Sequence, residues 1–248
     1  MKETGLGIII LAAGKGTRMN SDLPKVLHSI NSKPMIEYVV ETAQELAKES
    51  VYIVVGHKAD KVRQEVSKRF SVRYVLQKEL LGTGDAVRAA LPVLDDCIEH
   101  VLVMCGDVPL IRKDTLLDLV ESHRFNKNSL TVLAAELDEP EGYGRIILDK
   151  EGRVICIREQ ADAGEVEKEV RLVNTGIFCF DREFLQEAIP MITTENSQKE
   201  YYLTDVIEIA VKNSKKSGVV KMSNSHEMMG VNTCEQLERA GKLLQSID

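Results

Sequence analysis

The sequence predicts an α/β fold: a Rossmann-like, mainly parallel sheet flanked by helices, with an antiparallel lobe added late in the chain. Three observations carry that reading. Short apolar runs of strand length recur through the first half, separated by amphipathic stretches of helical length. The loop after the first run is bare, bears glycines and is ringed by cations, and such loops belong at the carboxyl ends of parallel strands. Past residue 136 the pattern changes to two strands around an Asp…Gly turn, the mark of a hairpin.

Composition bounds the class. At 248 residues the chain is one large domain or two small ones, with ample material for a core. Apolar residues at 44% and charged residues at 29% are ordinary for a globular protein. The net charge of −7 speaks against a nucleic-acid partner, so any anion site is a local exception. Cys97, Cys105, Cys156, Cys179 and Cys234 are odd in number and lack metal-ligand spacing; they read as small core residues of a cytoplasmic protein. The five histidines show no metal-binding spacing either. Residues 5–13 have the look of a signal-peptide core. The run is short, has only Lys2 ahead of it and flows into a patterned loop, so it reads as the first strand. No run reaches membrane-spanning length, and no membrane partner is expected.

The elements follow in order. Ile8, Ile9, Ile10 and Leu11 form a strand buried on both faces, because nothing polar interrupts them. Ala12, Ala13 and Gly14 leave the backbone N–H groups open to a ligand, and Lys15, Arg18 and Lys25 surround them with positive charge. That arrangement suits a polyphosphate; a tight strand-to-helix turn with surface charges competes with it. It is not a Walker A loop, since Gly16 rather than Ser or Thr follows Lys15. It is not a dinucleotide fingerprint either, since Met19 stands where a third small residue belongs. A helix starts at Pro34, with Met35, Ile36, Val39, Val40, Ala43, Leu46 and Ala47 on its apolar face. Residues 51–55 form a second buried strand, 59–69 a polar helix with Val62 and Val66 inward, and 72–76 a third strand.

Gln77 follows that strand, and Gly82-Thr83-Gly84-Asp85 precedes a helix of Ala86, Val87, Ala89, Ala90 and Leu91. A helix N-terminus with bare glycines can hold a base edge or an anion. The Gln77 amide has the donor and the acceptor that reading a pyrimidine imide requires; a surface glutamine before a glycine turn is the plainer alternative. Residues 101–105 form a buried strand, and Asp107 stands just beyond it after Gly106. A carboxylate there is placed to hold Mg²⁺ at a phosphate site, or to bond its own turn. A helix over 113–125 and a strand over 130–137 complete this half.

Residues 142–148 and 153–158 pair as a hairpin, 159–171 form a charged loop, and 173–180 return as a strand. A helix over 202–213, a strand over 218–222 and a final helix over 235–244 follow. Asn232 is a neutral oxygen ligand or a cap just before that helix. Without a Pro/Gly/Ser linker or an internal repeat, residues 1–248 read as one domain. Its parts are a nucleotide-binding lobe (about 1–136), a sugar-binding lobe (137–231) and a C-terminal helix (232–248).

The string Leu11-x-x-Gly14-x-Gly16-Thr17-x-Met19, followed after four residues by Pro24-Lys25, resembles the signature loop of sugar-1-phosphate nucleotidylyltransferases. Its continuation to His28 is most similar to the N-acetylglucosamine-1-phosphate uridylyltransferases. So are Gln77…Leu81-Gly82-Thr83-Gly84, Gly106-Asp107-Val108-Pro109-Leu110, Gly142-Tyr143-Gly144-Arg145 and Val173-Asn174-Thr175-Gly176. Glu200-Tyr201-Tyr202-Leu203-Thr204-Asp205 and Gly230-Val231-Asn232 match as well. The resemblance spans residues 7–237. It implies that Leu11, Ala12, Ala13, Gly14 and Lys25 face the nucleotide, that Gln77 and Gly82 read uracil, and that Thr83 lies near the ribose or sugar. It implies that Gly144, Glu159, Asn174, Tyr202 and Thr204 line the sugar pocket, and that Asp107 and Asn232 hold Mg²⁺. Cys105 stands where such enzymes often carry Tyr, and Asp85 where they commonly carry His.

The implied reaction joins UTP and N-acetylglucosamine 1-phosphate into UDP-N-acetylglucosamine and pyrophosphate. Arg18 and Lys25 neutralise the triphosphate, and no protein nucleophile is needed. Two other readings compete: a uridylyl- or thymidylyltransferase for another hexose 1-phosphate such as glucose 1-phosphate, and a non-catalytic nucleotide-sugar sensor. A sensor has no need of Arg18, Lys25 and Asp107 together. Such enzymes often continue into a β-helix acetyltransferase that drives trimerisation. No hexapeptide repeat follows the last helix, so a stand-alone enzyme or a truncation is expected, and its oligomeric state is open.

Overall fold

The computed structural model describes residues 5–245, so Lys2 and the last three residues of the expected 232–248 helix lie outside the described residues. The chain opens with β1 (Leu6–Ala12), a two-residue hairpin of β2 (Ser29–Ile30) and β3 (Lys33–Pro34), and α1 (Met35–Ala47). Next come β4 (Val51–Val55), α2 (Ala59–Val66), β5 (Arg73–Leu76), α3 (Thr83–Ala90), β6 (His100–Cys105), α4 (Lys113–Phe125) and β7 (Leu130–Glu136). The rest consists of β8 (Arg145–Leu148), β9 (Val154–Arg158), α5 (Glu165–Lys168), β10 (Leu172–Asp181), α6 (Arg182–Ala188), α7 (Val206–Lys212), β11 (Ser217–Lys221) and α8 (Cys234–Gln245).

Nine of these strands form one sheet, in the order β11-β7-β10-β6-β1-β4-β5, with β8 joined to β10 and to β9. β6, β1, β4 and β5 run parallel, as does β11 beside β7, while β10 is antiparallel to both of its neighbours. The apolar runs explain the centre. Ile8, Ile9 and Ile10 have no exposed surface. Alternate side chains point to opposite faces, so Ile8 and Ile10 join one cluster with Ile36, Val39 and Leu116. Ile9 joins the other, with Val87, Val103 and Phe180. α1 and α4 therefore cover one face, and α3 and α6 the other. Burying each such side chain is worth roughly 1.5–3 kcal/mol, which keeps this register.

The chain leaves β1 through α1 to β4 and β5 on one side, then crosses back to β6 on the other. The strand order thus reverses at β1, and the loop after it stands at a topological switch point, where open parallel sheets place ligands.

Several elements depart from expectation. α2 ends at Val66 rather than residue 69, after its second inward valine, and the chain continues as turns. β5 is an edge strand with only Val75 buried, because nothing pairs beyond it among the described residues. Residues 159–171 are not all loop: Gly164 begins a one-turn helix, with the Glu167 carboxylate accepting its N–H at 2.9 Å. The helix expected from Tyr202 opens as a 3-10 turn (Leu203–Asp205) before α7. Among the cysteines only Cys156 and Cys179 are buried; Cys97 and Cys234 are exposed, and all five are free thiols. Among the described residues no helix is long and apolar enough to cross a membrane.

Candidate active site

The loop after β1 is held from both sides. The Leu11 carbonyl accepts from the Gly106 N–H at 2.9 Å and the Ala13 carbonyl from the His57 N–H at 3.0 Å, so the turns after β6 and β4 fasten it. Two 3-10 turns, Thr17–Met19 and Lys25–Leu27, then fold the loop back, anchored by the buried Met19, Val26 and Leu27. Gly16 adopts φ 63°, and any Cβ there would collide with the Lys25 side chain. The glycine therefore serves the packing of Lys25, while a Cβ at Gly14 would meet only open space.

A cavity of about 530 Å³ opens over this loop. Leu11, Ala12, Ala13, Gly14, Lys25, Gln77, Gly82, Thr83 and Asp107 all line it, so of the residues expected at the nucleotide all but Arg18 face one space. Lys15, Thr17, Leu80, Cys105 and Glu200 line it as well.

At the end of β6, Lys25 ion-pairs with Asp107 Oδ2 and donates to Asn232 Oδ1 at 2.6 Å. Arg18 donates to the same Asn232 oxygen at 2.7 Å rather than joining the cavity lining. The Val231 N–H donates to the Asp107 carbonyl at 2.9 Å, which sets Asn232 beside the aspartate. Asn232 is steadied in turn by α8. The Gln236 Oε1 accepts from the N–H groups of Asn232 (2.7 Å) and Thr233 (3.1 Å), and Thr233 Oγ1 accepts from the Gln236 N–H (3.2 Å). This is a capping box, and its Thr233-x-x-Gln236 spacing is readable in the chain.

Among the described residues no three His, Cys, Asp or Glu side chains gather as a metal site. Mg²⁺ needs no such cluster where phosphates and water complete its shell. The test is whether hard oxygens converge, and they do. One Asp107 oxygen and one Asn232 oxygen close on a single cationic point, held by the Lys25 ammonium. The donor set fits the ion.

On the base side, Gln77 is 5% exposed and its amide nitrogen donates to the Gly82 carbonyl (3.1 Å) and to Asp85 Oδ2 (2.9 Å). Gly82 adopts φ 112°, and a Cβ there would stand 2.7 Å from the Tyr201 carbonyl oxygen. The Thr83 hydroxyl accepts from the Leu203 N–H at 3.0 Å, and Gly84 N–H donates to the Tyr201 carbonyl at 2.8 Å. The start of α3 is thus stitched to residues 201–203.

The expected sugar residues form a second group beside the cavity. The Thr204 hydroxyl donates to Glu159 Oε1 at 3.0 Å, and Gly144 packs so that a Cβ would lie 3.2 Å from the other Glu159 oxygen. The Asn174 N–H donates to the Gly144 carbonyl at 2.8 Å, while its side-chain oxygen accepts from the Gly176 N–H at 2.9 Å, inside the bulge of β10. Tyr202 is buried and donates to Gln198 Oε1 at 2.7 Å. Glu159 and Tyr202 line a neighbouring cavity of about 360 Å³ together with Asp205, not the larger one. Burial pushes the Glu159 carboxyl up, and the Thr204 hydroxyl offsets part of that rise. Burial also raises Tyr202 to about 12 and Asp205 to about 6.

Cys105 stands between the two groups, with its thiol 3.9 Å from the Gly176 carbonyl oxygen. Burial, then the Asp107 charge, pushes it up to about 12, so it is a neutral thiol rather than a nucleophile. The sequence does not single out Asp85, Glu200 and Gln236 as site residues. Glu200 lies within a recognised string, whereas nothing local marks Asp85 as a partner of Gln77.

Comparison with known proteins gives the family. The chain is 42% identical over 240 residues to the bifunctional protein GlmU of Geotalea uraniireducens, covering 97% of this chain and 52% of that protein. It is 44% identical over 237 residues to GlmU of Geobacter metallireducens, and 46% identical over 224 residues to GlmU of Streptococcus pyogenes. Those matches cover 96% and 90% of this chain, and 50% and 53% of the relatives. The chain therefore spans about half the length of the curated relatives it matches. A crystal structure from Bacillus anthracis, provisionally assigned as a glucose-1-phosphate thymidylyltransferase and bound to sucrose, superposes with a TM-score of 0.74. It covers 98% of this chain and 97% of its own at 21% identity, a likeness of fold alone. The nucleotidyl transferase family profile matches residues 8–228, and with that span, the switch-point loop and the relatives in agreement, the chain belongs to the nucleotidyl transferase family.

Proposed function

We propose that the chain transfers a uridylyl group from UTP to N-acetylglucosamine 1-phosphate, releasing pyrophosphate, as a single cytoplasmic domain. In this reading the chain up to residue 136 supplies the nucleotide side, 137–231 the sugar side, and the segment that leads into α8 supplies Asn232. The observation that carries the proposal is the meeting of Lys25, Asp107, Asn232 and Arg18 at the edge of a cavity whose lining also includes Gln77. The sugar phosphate oxygen attacks the α-phosphorus in line, the bond to the β-phosphate oxygen breaks, and pyrophosphate leaves with its charge. The attacking oxygen is already ionised, so no general base is required. Lys25 and Arg18 neutralise the phosphates, and the N–H groups of the bare loop orient them. Asp107 and Asn232 would hold Mg²⁺, which would supply charge neutralisation to the phosphates. Glu159, Thr204 and Asn174 offer acceptors and donors to sugar hydroxyls and an acetamide. The free, partly exposed thiols accord with a reducing compartment.

The test is a pyrophosphate-release screen of N-acetylglucosamine, glucosamine and glucose 1-phosphates against UTP, CTP and dTTP. The expected best pair is UTP with N-acetylglucosamine 1-phosphate, with the unacetylated amine slower by orders of magnitude, because unpaired polar groups penalise it. A preference for glucose 1-phosphate overturns the sugar assignment, and binding without pyrophosphate release overturns the reaction.

A further inference from the structure

We propose that Asp85 is a positioning residue for base selection: with the Gly82 carbonyl it takes both N–H bonds of the Gln77 amide, so that Gln77 meets the base as a pure acceptor. This rests on the uridylyl-transfer reading and adds to it the device that separates uracil from cytosine.

A glutamine amide has two donor hydrogens and one acceptor oxygen, and by itself can read either kind of edge. Here the choice is made by its neighbours. Gly82 O at 3.1 Å and Asp85 Oδ2 at 2.9 Å are both acceptors, so the amide nitrogen must face them. Turning the amide over would set its oxygen against two oxygens inside a side chain only 5% exposed. Among the described residues nothing donates to Gln77 Oε1, and the side chain lines the nucleotide cavity. That oxygen accepts a ring N3–H, which uracil and thymine possess. Cytosine offers a lone pair at N3 and is repelled.

Of the two locks, the carboxylate is the stronger, since a charged acceptor holds an N–H more tightly than a neutral carbonyl. Asp85 also faces a countercharge outside the cavity lining. Arg88, one turn along α3, stands 3.8 Å from its other oxygen. The Arg88 guanidinium lies over the Tyr201 ring at 4.3 Å and reaches the Ile189 carbonyl at 3.5 Å. The selecting geometry thus runs from the surface of α3 to the base.

The test compares kcat/KM for UTP, CTP and dTTP in the wild type, Asp85→Ala, Asp85→Leu and Asp85→Asn, with thermal melting to confirm folding. Leucine matches the branched shape of aspartate without an acceptor and carries the test if the alanine variant is unstable. The expected result is a UTP-to-CTP ratio about tenfold lower in the alanine and leucine variants, the size of one lost charge-assisted hydrogen bond. The ratio stays within about threefold of wild type in Asp85→Asn, whose side-chain oxygen can still accept from Gln77. The UTP-to-dTTP ratio is unchanged throughout, because both bases carry N3–H. Equal losses with all nucleotides, an unchanged UTP-to-CTP ratio, or a wild type that does not distinguish UTP from CTP overturns the proposal. If the wild type releases no pyrophosphate with any sugar phosphate, the reaction reading fails by itself. The same ratios then come from calorimetric dissociation constants for UTP, CTP and dTTP, and they decide the role of Asp85 on their own.

Discussion

Two carboxylates stand at two cavities of this molecule, Asp107 at the larger and Glu159 at the smaller, and their surroundings are opposite. Asp107 meets the Lys25 ammonium beside the Asn232 oxygen, on the turn after β6, which is bonded to Leu11 at the end of β1 and to Val231. Glu159 lies half-buried against a hydroxyl and a glycine, and its hydrogen-bond donor is the neutral Thr204 rather than a cation. The carboxylate beside Lys25 has a countercharge at hand, a setting suited to metal and phosphate. The half-buried acid against Thr204 has its carboxyl pushed up by loss of water, a setting that suits the hydrogen-bonding partner of a polyol in the proposed reading. The same functional group thus meets two environments, because one supplies countercharge and the other withholds water.

The largest expected effect removes the Asp107 carboxylate. Asp107→Ala lowers pyrophosphate release by about 10³-fold or more, by analogy with the loss of a transition-state stabiliser, while the melting temperature stays within a few degrees. Activity above a tenth of wild type would break the contrast, since Asp107 would then be no more than a partner for Lys25.

A smaller effect comes at Glu159. Thr204→Val keeps the shape but removes the donor to Glu159 Oε1. KM for the sugar phosphate rises about tenfold, a hydrogen bond's worth, with KM for UTP unchanged. Because the Thr204 hydroxyl pulls the Glu159 carboxyl down, its loss moves that group further up, so any limb of the pH profile that follows Glu159 moves to higher pH. Equal changes in both KM values would show that the two environments are not separable.

The smallest effect is on stability. Burial raises Asp205 from 3.8 to about 6, so folding favours its protonated form. That contribution is complete below pH 3.8 and is lost as pH rises through about 6. A neutral amide at this position has no such loss. Asp205→Asn therefore gains on the order of 1 kcal/mol over wild type above pH 6, and the gap closes toward low pH. Denaturant titrations at several pH values check this, and a gap that does not depend on pH would show that the buried acid lies outside the contrast.

The larger cavity is legible in the sequence because its parts are short contiguous strings, each just after a strand: the residues after β1, Gln77 after β5, and Asp107 after β6. Each string has a local physical reason, bare backbone or a carboxylate at a strand end. The expected sugar residues are named only through resemblance, since Gly144, Glu159, Asn174 and Thr204 come from separate segments with nothing local to mark them. α6 and the one-turn α5 escape a reading of the sequence, the latter because its charged residues carry no apolar stripe.

By itself the sequence determined the alternation of strands and helices, the buried centre of the sheet and the character of the loop after β1. Those follow from side-chain period and backbone freedom, which act over a few residues. The tertiary structure alone decided three things. It set β10 antiparallel between β6 and β7. It brought Asn232 to Lys25 across 207 positions of chain. It turned Asp85 toward Gln77. Each depends on which distant surfaces bury one another once the sheet has closed, and no local periodicity encodes that choice.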